Sequence, residues 1–147
     1  MKKFDIAIIG GGILGTTISY WISNLYDSSV CVIEKESNVA KHTSGRNTGV
    51  VHTPFYLNPE KKKIFAKSAH ISHDLWKTLA TNTMSPWNEI GTIEVALDET
   101  QHKTLEKYHK WGLQNGVSEN NLSLLNSNEL KQKEKNIECY SGLLCKS

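Results

Sequence analysis

The run Gly10-Gly11-Gly12-Ile13-Leu14-Gly15 spells GxGxxG, and it lies between an apolar run and a stretch of helical period. That spacing suits a backbone built to touch a pyrophosphate. Gly10 permits a sharp turn, Gly12 lacks the Cβ that would hold a phosphate away, and Gly15 lets the following helix pack closely on a strand. Ile13 and Leu14 open that helix, whose unpaired N–H groups and positive dipole end favour an anion. Glu34 follows Gly15 by about twenty residues, the separation at which a carboxylate accepts hydrogen bonds from an adenosine ribose. The alternative is a solvated acid in the run Glu34-Lys35-Glu36. Lys35 beside it joins the cofactor-contacting set, and since the Glu34 carboxylate would repel a 2′-phosphate and no arginine stands next to it, NAD and FAD remain.

A second segment separates those two. Ser44-Gly45-Arg46-Asn47-Thr48-Gly49-Val50-Val51-His52 is a loop of small and polar residues that runs directly into an apolar stretch, where an NAD-type unit would place a helix. Ser44, Thr48 and the amides of Gly45 and Gly49 can donate to phosphate or flavin oxygens. Arg46 can neutralise pyrophosphate charge. At these residues, and at Tyr56 followed by Asn58-Pro59-Glu60, the chain resembles the D-amino-acid-oxidase-like family of FAD-dependent oxidoreductases. It looks most like the branch of L-2-hydroxyglutarate dehydrogenases and oxidases, with glycerol-3-phosphate dehydrogenases more distant. The family stretch SG-(H/R)-N-(S/T)-G-V-(I/V)-H also covers Asn47 and Val50.

The resemblance implies FAD as cofactor, an isoalloxazine ring near Gly49 to His52, and hydride transfer from an alcohol or amine carbon to flavin N5. The expected substrate is a small 2-hydroxy acid such as L-2-hydroxyglutarate. Alternatives are glycerol 3-phosphate, an amino acid, or no turnover at all in a truncated FAD- or ADP-binding module. His52 is the candidate catalytic residue, as general base or flavin neighbour; its alternative is a structural hydrogen-bonding histidine. The electron acceptor is left open.

The elements that must position these groups read as an α/β chain, a Rossmann-like FAD-binding βαβ unit followed by the start of a mixed α+β substrate domain. Phe4 to Ile9 and Val30 to Ile33 read as buried parallel strands. Between them Leu14, Ile18, Trp21, Ile22 and Leu25 share one helix face. Asn58-Pro59-Glu60 reads as the opening of a helix running to Leu79, with Ile64, Ile71, Leu75 and Leu79 inward. Gly91 to Leu97 alternates like a half-buried strand with Ile93, Val95 and Leu97 on one face. Asp98 with Gln101 and Asn126 with Glu129 open two more helices, the first ending near Asn115-Gly116. Ser141 to Cys145 reads as the beginning of a strand. The expected division is an FAD-binding portion over residues 1–85 and the start of a substrate domain over 86–147.

The chain has 147 residues and 17 Lys and Arg against 15 Asp and Glu, a balance too even for nucleic acid as a partner. Lys61-Lys62-Lys63 reads as a solvated helix face, and Trp76, Trp87 and Trp111 read as packing. Three cysteines without a CxxC pair or disulfide spacing suggest free thiols in a reducing, cytoplasmic setting. Cys31 is expected to be buried. No apolar stretch approaches transmembrane length. Family members are far longer, so the chain is expected to be a fragment, with strands pairing to Thr92–Leu97 supplied from outside it. Aggregation, dimerisation or a second chain completing the substrate domain would follow.

Overall fold

The computed structural model describes residues Lys2–Lys146. They form two compact units, one up to Val50 and one from Val51 onward.

The first unit is a βαβ motif. Strand β1 (Ile6–Ile9), helix α1 (Ile13–Leu25) and strand β2 (Val30–Ile33) follow in order, and β1 pairs parallel with β2 from Ile6 opposite Val30 to Ile9 opposite Ile33. Asp5, the one acid in the first apolar run, fixes this register. Its Oδ2 accepts from the Ser29 amide at 2.8 Å and the Ser29 hydroxyl at 2.6 Å. These bonds hold its carboxyl below the usual carboxylate range, the side-chain bond contributing most.

The expected helix face of α1 is present, yet it is not enclosed. Leu14 is 76% exposed and Leu25 66%, and Gly15 is the buried residue of the helix. Two strands among the described residues give too little area to cover a four-turn apolar stripe. Cys31 is half-buried for the same reason.

The second unit contains helix α2 (Lys63–Thr83), strand β3 (Thr92–Ala96), helix α3 (Glu99–Gln114), strand β4 (Leu122–Asn126), helix α4 (Ser127–Lys133) and strand β5 (Ser141–Cys145). Its sheet has the order β3-β5-β4, antiparallel throughout. Here the sequence expectation needs correcting. The partner of Thr92–Ala96 lies within the chain, because β5 is the central strand and pairs on both sides. All five β5 residues are buried.

The face of β3 is also reversed from the expectation. Ala96 is fully buried while Val95 and Leu97 are exposed. The small Ala96 admits α3, and the core gathers Phe55, Ala96, Leu105, Val117, Leu122, Leu143 and Cys145. Tyr108 packs against that core.

Capping explains the helix limits. Asp98 accepts from the Gln101 amide at 2.8 Å, and Gln101 Oε1 accepts from the Leu97 amide rather than that of Asp98. Asn126 and Glu129 form a full capping box at α4. Gly116 adopts φ +87 just after α3, as a left-handed helix stop requires.

Asn58 does open a helical turn, accepting from the amides of Glu60 and Lys61. The backbone breaks at Lys62, with φ −122 and ψ 23, so α2 starts at Lys63 and runs on to Thr83. Ile64, Ile71 and Leu75 are exposed and Ala66 and Ala80 buried, again contrary to expectation.

Candidate functional site

The glycine loop and the first part of the second motif come together inside the first unit. Gly10 turns out of β1 at φ +101. A Cβ on Gly15 would lie 1.9 Å from the Gly10 carbonyl oxygen, so only glycine lets α1 start this close to the strand it leaves. Ser44 Oγ accepts from the Ile13 amide at 2.9 Å, and a Cβ on Gly12 would sit 3.0 Å from the same oxygen. The Ala40 amide donates to the Gly11 carbonyl at 2.9 Å. The loop over residues 40–45 is thereby seated on the turn that opens α1.

Gly45 has a packing reason of its own. A Cβ there would lie 2.1 Å from the Ala40 carbonyl oxygen. Asn47 shapes the loop from within: its Nδ2 donates to the Ser44 carbonyl at 2.7 Å and its Oδ1 accepts from the Gly49 amide at 2.7 Å. Gly49 has φ +68. Arg46, Thr48 and Val50 are exposed, and no carboxylate among the described residues pairs with Arg46.

Glu34 Oε2 accepts from the Gly11 amide at 2.6 Å and Oε1 from the Glu36 amide at 3.0 Å. These two backbone bonds, that from Glu36 the larger, hold its carboxyl below the usual range against a smaller opposing effect of burial. An ionised carboxylate has about four lone-pair sites, so each oxygen retains one for a hydroxyl. Lys35 turns its ammonium to Glu36, 3.6 Å away, where His42 also bonds at 2.9 Å.

The residues fit a dinucleotide on three counts. The Gly12 Cα presents no Cβ toward the loop, the amides of Gly12 and Leu14 have no acceptor among the described residues, and Glu34 stays ionised with acceptor sites to spare. Ile13 differs from the expectation of a free amide, since Ser44 already takes it.

His52 belongs to the second unit. It is exposed, with its ring edge-on to Tyr56 at 6.1 Å between centroids. The residues directly after it went unnoticed in the sequence: Thr53, Pro54 and Phe55 are buried, and Asn115 Nδ2 donates to the carbonyls of Pro54 and Leu57, each at 2.8 Å. A buried Pro-Phe pair beside the motif was the available signal. Trp87 packs edge-on against His73, and Trp111 lies against Tyr108 and under Lys107.

Such a fold, with a glycine-opened βαβ motif and an acid closing β2, is that of a dinucleotide-binding unit. Residues 5–147 match the DAO family, described as FAD dependent oxidoreductase, and the chain belongs to it. It is 33% identical over 136 residues to a glycerol 3-phosphate dehydrogenase of Caloramator mitchellensis, covering 91% of this chain and 27% of that protein. It is likewise 33% identical to the mitochondrial L-2-hydroxyglutarate dehydrogenase of Bos taurus, covering 90% and 28%. Among solved structures, dithionite-reduced L-alpha-glycerophosphate oxidase from Mycoplasma pneumoniae with FAD bound superposes with a TM-score of 0.86 at 30% identity, covering all of this chain and 38% of that one. The chain thus spans well under half the length of these relatives. The hydroxyglutarate and glycerol-phosphate relatives match at equal identity, so the likeness does not rank the two branches.

Proposed function

We propose that the chain is the cofactor-holding portion of an FAD-dependent oxidoreductase that oxidises a small, doubly negative alcohol, with L-2-hydroxyglutarate the first substrate and glycerol 3-phosphate the second. The observation that supports the reading is the hydrogen bond that seats Ser44 on the α1 N-terminus and so brings the two motifs side by side. In this reading Gly10, Gly12, Ile13, Leu14, Gly15, Ser44, Gly45 and Arg46 face the pyrophosphate. Glu34, with Lys35 beside it, orients the ribose. Asn47 holds the loop through Thr48, Gly49 and Val50 in shape for the flavin end. FAD supplies the two-electron acceptor for the substrate carbon hydride. His52, exposed in this structure, takes the hydroxyl proton of the substrate as general base.

The glycerol 3-phosphate alternative stands beside it because the two kinds of relative match at equal identity. The domain assignment belongs to the same proposal, with the cofactor portion over residues 1–85 and substrate-domain strands beyond. No helix among the described residues is long and apolar enough to cross a membrane. Three cysteines without a CxxC pair support a reducing compartment.

The test has two stages. Purified chain is loaded with FAD and its visible spectrum recorded, and binding should fall when Gly12 is changed to Val. The flavin of the chain, or of its complex with any completing polypeptide, is then mixed anaerobically with L-2-hydroxyglutarate, glycerol 3-phosphate and amino acids in turn. Bleaching by one of the two dianions is expected. A flavin that only amino acids reduce overturns the substrate claim, and failure to take up FAD overturns the cofactor claim.

A further inference from the structure

In the second unit, Lys63 and Lys67 of α2 meet no carboxylate among the described residues. A groove of about 350 Å³ is lined by Lys63, Lys67 and His70 of α2 and by Gln114 at the end of α3, over an apolar floor that includes Ala66 and Ile71. Positions 63, 67 and 70 fall on one helix face. Two lysines four residues apart repel one another, and cations at a helix N-terminus oppose the macrodipole.

Nothing nearby offsets that cost. The first turn of α2 holds no acidic residue and no side-chain cap, and Glu60, which precedes it, pairs with neither lysine. No acid lines the groove. His70 is fixed there by its Nε2, 2.8 Å from the Asn115 carbonyl oxygen. A carbonyl only accepts, so Nε2 carries a proton and donates. The volume is at the lower end of small-ligand pockets, roughly 300–1,000 Å³, a size for a compact metabolite rather than a dinucleotide.

We propose that this groove is a binding site for a compact organic dianion, a dicarboxylate or a phosphomonoester, held by Lys63 and Lys67 with Gln114 as a neutral donor. The site shares no residue with the glycine loop or the Ser44–His52 stretch, and it does not depend on bound flavin.

The test therefore uses the full chain without FAD. Glutarate and inorganic phosphate are titrated separately at constant ionic strength, and backbone amide shifts are followed by NMR. Saturable shifts centred on residues 63–71 and 114–115 are expected with at least one probe, and which probe saturates distinguishes a carboxylate from a phosphate ligand. The variant Lys63→Gln/Lys67→Gln should bind at least about tenfold more weakly. Lys63→Arg/Lys67→Arg and the α3 control Lys103→Gln should bind like the parent. If the double glutamine variant loses its native spectrum, Lys67→Gln alone serves for the same comparison. Shifts that never saturate with either probe, or glutamine variants that bind as the parent does, overturn the proposal.

Discussion

Ser44 Oγ accepts the Ile13 amide hydrogen at 2.9 Å, across 31 positions of sequence. A serine from one motif thus caps the helix that the other motif opens, and the N-cap position proper, Gly12, contributes no side chain. Replacing Ser44 with Ala removes the cap and should cost about 1 kcal/mol of stability in the first unit. FAD affinity should fall with it. Urea denaturation and a flavin titration of the same preparation measure both; a variant unchanged in each would detach Ser44 from the site.

Gly15→Ala should be far more damaging than Gly49→Ala. The added methyl at position 15 meets a backbone oxygen at 1.9 Å, whereas at position 49 nothing lies within 4 Å and only the φ of +68 is strained. About 3 kcal/mol is expected for the first and about 1 kcal/mol for the second. Far-UV circular dichroism during thermal melting checks the order. Equal effects would mean that α1 does not pack on Gly10 in this way.

Acid should loosen the first unit through Glu34. Its carboxyl is held below its ordinary value of 4.5 in the folded chain by the amides of Glu36 and Gly11. The folded state therefore favours the ionised form, and the resulting stability is present above the unfolded value. It is lost as pH falls through 4.5 toward the lower folded value. Glu34→Gln should show a shallower loss of stability between about pH 6 and pH 3. The slope that remains belongs in part to Asp5, whose carboxyl Ser29 lowers in the same direction. Denaturation midpoints across that range decide it, and parallel curves for parent and variant would refute the assignment.

Leu143→Ala should destabilise the second unit by about 2–5 kcal/mol, since Leu143 is fully buried at the centre of the sheet. Val95→Ala on the exposed face of β3 should cost well under that. Hydrogen exchange of the β3 and β4 amides reports the difference, and similar protection in the two variants would contradict the packing described.

Much of the βαβ motif was legible because its determinants are local. Glycine spacing, the helical period after Ile13 and the β-branched run Val30–Ile33 each act within a few residues, and the capping pairs at Asp98 and Asn126 do the same. The errors arose where tertiary context decides. Ile64 and Ile71 carry the right period for burial, but the described residues bring no layer over them. Ala96 wins the inner face of β3 because α3 needs a small residue beneath it, which alternation cannot reveal. The strand Leu122–Asn126 escaped notice since Ser123 and Asn126, with Asn120 and Asn121 just before it, make its sequence read as loop. Within the candidate site, Glu34 and the glycines were readable from spacing, whereas the use of Ser44 as a cap depends on a fold-back of the loop through Ala40.

The order of the second sheet carries a consequence for synthesis. Strands β3 and β4 do not touch each other; each pairs only with β5, which leaves the ribosome after both. Among the described residues no strand pair of that sheet can begin before Ser141 has emerged, while β1 and β2 are complete by residue 33. The first unit is therefore free to fold early, whereas the sheet of the second waits for long-range pairing with β5. During that interval the apolar residues of β3 and β4 stand exposed, which makes the nascent second unit the stage at which a chaperone has most to protect.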